Sequence, residues 1–211
     1  LITILFPQLP YSVFVESEWQ NHSLFGGDLR GADFDQSAFT NVTIFGADSS
    51  DNERPPLLDS ALFRAALFTN SRISNLSMDH ADFSFSRWAS RDDGTPGRQS
   101  RLSNISARIT QFVETQFLDV LMADINFDSA DFTRASFIGG SLNRVTFHGA
   151  NLEGSTFENV RFFSTDFSRA NLQGARLAGL DLLLVTNLHL SGGDRIDLSN
   201  SRVCECVVDA M

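Results

Sequence analysis

Residues 130–154 read ADFTR ASFIG GSLNR VTFHG ANLEG when they are written in groups of five. The third residue of every group is large and apolar, and the first is small or β-branched. A period of five matches neither the 3.6 residues of a helical turn nor the two-residue alternation of a lone strand. It predicts a solenoid in which each group forms one short side of a coil and points its third residue inward.

The same spacing extends in both directions and defines three runs of inward residues. The runs span residues 14–44, 58–88 and 112–182, and the two joins between them are 14 and 24 residues long. Each join is one short of a multiple of five, so the pattern changes phase there. The joins are polar and contain Pro or Gly, which predicts loops near residues 49–57 and 89–101.

Several groups place Asp or Asn between Ala and a large apolar residue, as in Ala81-Asp82-Phe83, Ala130-Asp131-Phe132 and Ala150-Asn151-Leu152. These groups resemble the A(D/N)LXX signature of the pentapeptide-repeat protein family. The resemblance implies an all-β fold, a right-handed quadrilateral parallel β-helix with four groups per coil. Runs of 7, 7 and 15 groups, 29 in all, then give about seven or more coils. At about 4.8 Å per coil the rod is roughly 34 Å long, with two projecting loops.

The ends of such a rod expose strand edges that need covering. We therefore expect an N-terminal cap in residues 1–13, repeats over residues 14–203 and a C-terminal tail in residues 204–211. Cys204 and Cys206 could bind metal or act as a nucleophile, but no His lies near them in the sequence, and we interpret them as structural thiols.

The formal net charge is -10, and all 16 basic residues are Arg. This balance argues against direct binding to nucleic acid or to an anionic membrane, because both require basic side chains that neutralise phosphate. Pro7 and Pro10 interrupt the apolar beginning of the chain, so no window predicts membrane insertion. We expect a cytoplasmic location, although an upstream signal or anchor would lie outside this sequence.

Most outward positions are polar, and the apolar exceptions form the candidate partner or dimer surface. They are Phe25, Phe45, Phe85, Leu121, Phe163, Leu183 and Leu184. With 20 residues per coil, Phe25 stacks beside Phe45, and Phe163 beside Leu183. Two interpretations remain open for each pair: a partner or self-association surface, or a face covered by a terminal segment or by the first loop.

The two predicted loops offer candidate contacts of both signs. They are Asp51, Glu53 and Arg54 in the first loop and Arg91, Asp92, Asp93 and Arg98 in the second.

No catalytic constellation is visible, and we expect neither enzymatic activity nor a cofactor or metal. The four His residues are scattered without a second His or Cys at metal-ligand spacing. The first function hypothesis is a rigid scaffold for a protein partner of unknown identity, with a homodimer through the Phe163 and Leu183 face as one version.

The second hypothesis comes from the family resemblance. Some members mimic DNA and protect DNA gyrase or topoisomerase IV from quinolones, and this chain has the acidity, a comparable size and two loops. Those members end in a dimer-forming helix, whereas residues 196–211 are too β-branched to predict one.

Overall fold

The computed structural model describes residues 2–5, 8–46, 58–90, 99–183, 185–186, 199 and 201. Over these residues the chain forms 17 short strands joined by tight turns, and neighbouring strands pair in parallel to form two sheets. This is the right-handed quadrilateral β-helix. The candidate loop contacts, Leu184 and the two cysteines lie outside the described residues.

One sheet has ten strands, which run along one side of the rod and partly around a corner. They are β1 (Ile2–Leu5), β3 (His22–Phe25), β5 (Thr43–Phe45), β7 (Arg72–Ser77), β9 (Arg101–Ser106), β11 (Leu121–Asn126), β13 (Ser141–Thr146), β15 (Arg161–Phe163), β16 (Thr165–Asp166) and β17 (Val185–Thr186). The other sheet has seven strands. They are β2 (Glu18–Gln20), β4 (Ala38–Thr40), β6 (Leu67–Thr69), β8 (Arg87–Ala89), β10 (Gln116–Leu118), β12 (Ser136–Ile138) and β14 (Thr156–Glu158).

Register between neighbouring strands defines the length of a coil. Most pairings join residues 20 apart, as Glu18 and Ala38 do between β2 and β4. Two steps are longer: Arg72 pairs with Thr43 on one side and with Arg101 on the other, each 29 residues away. Each long step therefore contains 29 minus 20, or nine, extra residues. The extra residues fall at the two joins predicted from the sequence.

The interior contains four columns of inward side chains, one behind each face of the rod. The first face covers Phe14, Phe34, Phe63, Phe83, Phe112, Phe132, Leu152 and Leu172; the second covers Trp19, Phe39, Phe68, Trp88, Phe117, Phe137, Phe157 and Leu177; the third covers Leu24, Ile44, Ile73, Leu102, Met122, Leu142, Phe162 and Leu182; the fourth covers Leu29, Leu58, Met78, Ala107, Phe127, Phe147 and Phe167. Rings in one column stack face to face at about the coil spacing, as Phe63 and Phe83 do at 4.7 Å between centroids.

The corners follow the same period. The residue two places after most inward residues adopts the left-handed conformation, as Asn41 does at φ 54° and Ser129 at φ 57°. The residue two places before an inward residue is usually small or β-branched and is buried, as Ala130 and Ala150 are. The five-residue pattern thus reflects the corners of the coil: a large residue fills the interior, and the chain turns on either side of it.

The structure corrects the start of the third run. Leu102 and Ala107 are already inward residues, so the regular pattern begins ten residues before Phe112. Ala107 hides the pattern because it is small, and the large buried residue of its group is Ile105, two places earlier. Arg101 lies in β9, so the second join is shorter than the predicted loop at 89–101.

The stack also continues into the segment for which a cap is expected. β1 pairs with β3 at the regular 20-residue step, with Ile2 opposite His22, and Val13 bridges Asp33. These residues add strands to the rod in the same register. Among the described residues, no helix has the length and apolarity needed to cross a bilayer.

Candidate interaction face

The third face has two rows of outward side chains, one on each side of its inward column. The upstream row is Ser23, Thr43, Arg72, Arg101, Leu121, Ser141 and Arg161, and the downstream row is Phe25, Phe45, Ser74, Ser103, Ala123, Asn143 and Phe163. The strand registers align each row coil by coil. One coil beyond β15, Asp181 and Leu183 occupy the equivalent positions, because Thr165 pairs with Val185 at the same 20-residue step.

Phe25 and Phe45 form a contact at one end of the downstream row. The two residues are directly opposite each other on β3 and β5, with ring centroids 5.9 Å apart and planes tilted by 60°. Both side chains are half-buried. The backbone of β1 continues the sheet beyond Phe25, with Leu5 as its register partner, so this strand extends the face at its end.

Phe163 and Leu183 lie at the other end of the same row. Their exposed fractions are 43% and 44%, among the highest of any large apolar residue on this face. Leu121 is half-buried on the same face but belongs to the upstream row, two coils from Arg161. The two apolar pairs that the sequence separates therefore belong to one face, with polar and small residues between them.

Phe85 does not join this group. It is 59% exposed and has a φ of 62°, and it occupies the corner that follows Phe83 on the first face. Its backbone N–H donates to the carbonyl oxygen of Val113 at 2.8 Å, which fixes the turn. The structure thus places Phe85 apart from the third face.

Two segments that the structure does not describe, residues 47–57 and 91–98, each begin and end at a corner that borders the third face. The first insertion joins the described chain at Gly46 and Leu58, after an inward residue of the third face. The second joins the described chain at Ser90 and Gln99, before Leu102, another inward residue of the third face. Ser100 N–H donates to Ser90 Oγ at 3.0 Å, so the two ends of the second insertion are held together.

Acidic side chains are most numerous on the first face, which lies opposite this surface, and on the fourth face, which borders it. On the first face they are Asp33, Asp35, Asp82, Asp131 and Glu153, and on the fourth they are Asp28, Asp59, Asp79, Asp128 and Asp166. Some of these carboxylates bind arginine, as Asp28 binds Arg30, Asp35 binds Arg64 and Asp79 binds Arg108. Hydrogen bonding to Asp79 raises the pKa of Arg108 above its ordinary value. In the described part of the chain, the two outward rows of the third face contain Arg72, Arg101 and Arg161 and one carboxylate, that of Asp181.

His148, Ser168 and Asp166 form a hydrogen-bonded chain on the fourth face that the sequence did not suggest. His148 Nδ1 lies 2.8 Å from Ser168 Oγ, which in turn donates to Asp166 Oδ2 at 3.1 Å. Because the serine proton is directed at the aspartate, His148 Nδ1 must act as the donor to Ser168. A nucleophile relay needs the opposite order, with histidine accepting the serine proton and aspartate orienting the histidine. The arrangement is therefore a structural ladder between coils. Among the described residues, no group of His, Cys, Asp and Glu has the arrangement of a metal site.

Comparisons with known proteins agree with this geometry. A model of pentapeptide repeats matches the chain in eight copies, including residues 110–149, 125–162 and 141–179. A comparison with curated proteins found no significant match.

Among solved structures, the chain is similar to QnrB1, a plasmid-mediated fluoroquinolone resistance protein, at 17% identity and a TM-score of 0.47, covering 98% of this chain and 92% of that one. It is also similar to HetL, a pentapeptide repeat protein involved in heterocyst differentiation regulation from the cyanobacterium Nostoc sp. strain PCC 7120. That comparison gives 18% identity and a TM-score of 0.36, covering 92% of this chain and 89% of HetL. With its five-residue period, its four inward columns and the matching repeat model, the chain belongs to the pentapeptide-repeat family.

Proposed function

We propose that this chain is a non-enzymatic, rigid scaffold that binds a partner protein through its third face. The observation that carries the proposal is the position of Phe163 and Leu183, which are more than 40% exposed and adjacent in one row. Exposed apolar side chains that lie together mark interaction surfaces more often than isolated ones do. Phe25 and Phe45 extend the same row at the opposite end of the rod.

Rigidity follows from the hydrogen bonding. Each coil bonds to the coil on either side, and the interior is filled by stacked rings, so outward residues stay at a fixed spacing of about 4.8 Å per coil. A partner therefore meets a preformed surface and loses little free energy to ordering of the scaffold.

A second copy of the chain is the competing occupant of this face. If two third faces met in antiparallel orientation, Phe45 of one copy would lie near Phe163 of the other. The same arrangement brings Arg101 of both copies towards the middle of the interface, where like charges repel. We therefore favour a different protein as the partner.

Introduction of a negative charge into the downstream row tests the scaffold proposal. We expect Phe163→Asp and Leu183→Asp to abolish capture of the partner from the source cell while the β-sheet circular dichroism stays unchanged. Ile138→Asp is the matched control, since Ile138 is 39% exposed on the second face. Mass in solution is measured in parallel: a monomer agrees with a separate partner, and a dimer dissociated by Phe163→Asp would identify a second copy instead. Capture that survives both row substitutions contradicts the proposal.

The acidity of the first and fourth faces supports a second candidate function, the mimicry of DNA towards DNA gyrase or topoisomerase IV. Adjacent acidic faces present the charge that a DNA-binding groove attracts. Arginine pairing at Asp28, Asp35 and Asp79 weakens that field. A supercoiling assay with gyrase and a fluoroquinolone tests this function. Neither protection nor inhibition at micromolar protein would exclude it.

A further inference from the structure

Two exposed apolar residues occupy corners of the first face where the backbone conformation disfavours them. Phe85 has a φ of 62° and Ile109 a φ of 58°, and their exposed fractions are 59% and 49%. In the described chain, most other corner residues with a positive φ are glycine or polar, often asparagine as at Asn41. The left-handed conformation is costly for bulky and β-branched side chains. Neither side chain fills the interior, so the stability of the rod does not account for either residue.

Phe85 and Ile109 lie on opposite borders of the first face and on neighbouring coils. Phe85 follows Asp82 by three residues within one coil. On the next coil, Ile109 precedes Gln111, the bridge partner of Asp82, by two residues. The outward position of Asp82 is therefore flanked by an exposed apolar side chain at each border of the face.

Asp82 belongs to a row of outward residues that contains three carboxylates and no cationic side chain. The row is Val13, Asp33, Leu62, Asp82, Gln111, Asp131, Asn151 and Asn171. Asp82 Oδ1 accepts the backbone N–H of Ser84 at 2.9 Å. Arg64 in the neighbouring row attracts Asp82, but its Nε and backbone N–H donate to Asp35. The Asp82 carboxylate can therefore accept further hydrogen bonds from a cation outside the chain.

We propose that the first face binds, at Asp82, an arginine that lies between apolar residues in an extended segment of a second partner protein. The guanidinium group forms forked hydrogen bonds with the carboxylate and stacks on the exposed ring of Phe85. In an extended segment, side chains two residues before and after the arginine point to the same side, about 7 Å away from it. Apolar side chains at these two places contact Phe85 and Ile109.

This site goes beyond the proposed function of the third face. The first and third faces lie on opposite sides of the rod, so one molecule can hold two partners at the same time. Nucleic acid does not match the site, because the carboxylates of the row repel phosphate. An arginine between apolar residues matches both the charge of Asp82 and the two apolar borders.

The experiment titrates the full chain with the acetylated and amidated pentapeptide Leu-Ser-Arg-Ser-Leu and follows binding by isothermal titration calorimetry. We expect saturable binding that weakens as salt is raised. The peptides Leu-Ser-Gln-Ser-Leu and Ser-Ser-Arg-Ser-Ser remove the charge and the apolar groups in turn. Each should bind about tenfold more weakly or worse.

Two variants of the chain separate binding from folding. Phe85→Asn should lower the affinity by about tenfold, whereas the melting temperature should stay equal or rise by about 1–3 °C, because asparagine suits a left-handed corner. Asp82→Asn should lower the affinity by about fivefold or more, and its amide oxygen can still accept the N–H of Ser84.

The matched control for charge is Glu153→Gln, because Glu153 is exposed on the same face three coils away. The control for the exposed ring is Phe163→Asp on the third face, and both controls should stay within about twofold of the original affinity. No saturable binding, equal affinity of Phe85→Asn, or equal affinity for Ser-Ser-Arg-Ser-Ser would overturn the proposal. So would a melting temperature lowered by more than about 3 °C in Phe85→Asn, since the ring would then stabilise the rod itself. Partner capture that depends on Phe163 is measured separately, so failure at Asp82 leaves the third-face function standing.

Discussion

The Asp79 carboxylate accepts three hydrogen bonds from Arg108 on the next coil. The backbone N–H of Arg108 donates to Oδ1 at 2.8 Å, and its Nε and Nη2 donate to Oδ2 at 2.9 and 2.7 Å. Ser106 Oγ adds a fourth hydrogen bond at 2.7 Å. Burial tends to raise the pKa of Asp79, but the hydrogen bonds from Arg108 and Ser106 together hold this pKa below its ordinary value.

Asp35 and Arg64 repeat this arrangement on the first face. The Arg64 backbone N–H donates to Asp35 Oδ1 at 2.9 Å, and its Nε donates to Oδ2 at 2.8 Å. Both pairs join residues 29 apart, so each one spans a coil step that contains an insertion. The Arg144 and Asp124 pair joins residues 20 apart and uses side-chain donors on the arginine. We infer that the two 29-residue pairs fix the coil register where an inserted segment would otherwise loosen it.

Removal of the Asp79 carboxylate should therefore destabilise the rod. We expect Asp79→Ala to lower the melting temperature by about 3–6 °C, because Arg108 and Ser106 lose a shared acceptor in the coil step that contains the second insertion. The measurement is thermal unfolding followed by circular dichroism. Asp124→Ala, which breaks an exposed pair on a regular step, should change the melting temperature by less than about 2 °C. Equal decreases in melting temperature for the two variants would show that the ion pair of the insertion step stabilises the rod no more than the pair of a regular step.

Stability should also depend on pH through Asp79. Because its folded pKa lies below the unfolded value, the unfolded chain takes up the proton first as pH falls. The stabilisation is thus complete above about pH 4 and is lost as pH falls through the folded pKa. We expect the melting-temperature difference between the original chain and Asp79→Asn to be constant from about pH 7 to pH 5 and to shrink below about pH 4. A difference that persists undiminished at about pH 2 would assign the stabilisation to the shape of the side chain.

Sequence periodicity predicted the inward residues well, because each corner requires a large residue at one position and a small one two places earlier. It could not place the two apolar pairs on one face. Phe45 and Phe163 are 118 residues apart, which is not a multiple of 20. Two insertions of nine residues account for 18 of these, and the remaining 100 make five coils. The change of phase in the sequence shows the length of an insertion only to within a multiple of five residues. The face on which the later residues lie depends on that length to within a multiple of 20 residues, the length of one coil.

The group around Ala107 shows a different limit. Its inward position holds alanine, and the large side chain is Ile105, buried two places earlier. Volume is conserved within the group while the order of large and small is reversed, so a search for large residues at the third position passes over it.

A substitution in the stacked rings tests how strongly the core depends on aromatic volume. Phe63 is fully buried and stacks on Phe34 at 4.9 Å and on Phe83 at 4.7 Å. Phe63→Ala should lower the free energy of unfolding by about 3–5 kcal/mol, because the hydrogen-bonded coils cannot close the cavity that the missing ring leaves. Phe63→Leu should cost about 1–2 kcal/mol, because Leu152 fills the same column at a later coil. Urea unfolding measures both, and equal losses would mean that stacking geometry outweighs filled volume.

Gly140 provides the sharpest test of the backbone geometry. It has a φ of 73°, and a Cβ at this position would lie 2.2 Å from the carbonyl oxygen of Val120 and 2.9 Å from its nitrogen. That carbonyl accepts the N–H of Ser141 at 3.2 Å, so the clash cannot be relieved without breaking a bond between coils. Gly140→Ala should therefore lower the free energy of unfolding by about 3 kcal/mol or more.

Gly149→Ala is the matched control for this variant. Gly149 has a φ of 62°, but its added Cβ would meet only Ser129 Oγ at 3.7 Å, an ordinary contact. Ala65 adopts the same left-handed corner at φ 54°. We expect Gly149→Ala to cost about 1 kcal/mol, the conformational penalty alone. Similar losses for the two variants in urea unfolding would mean that the backbone at Val120 yields, and that close approach between coils does not restrict this position to glycine.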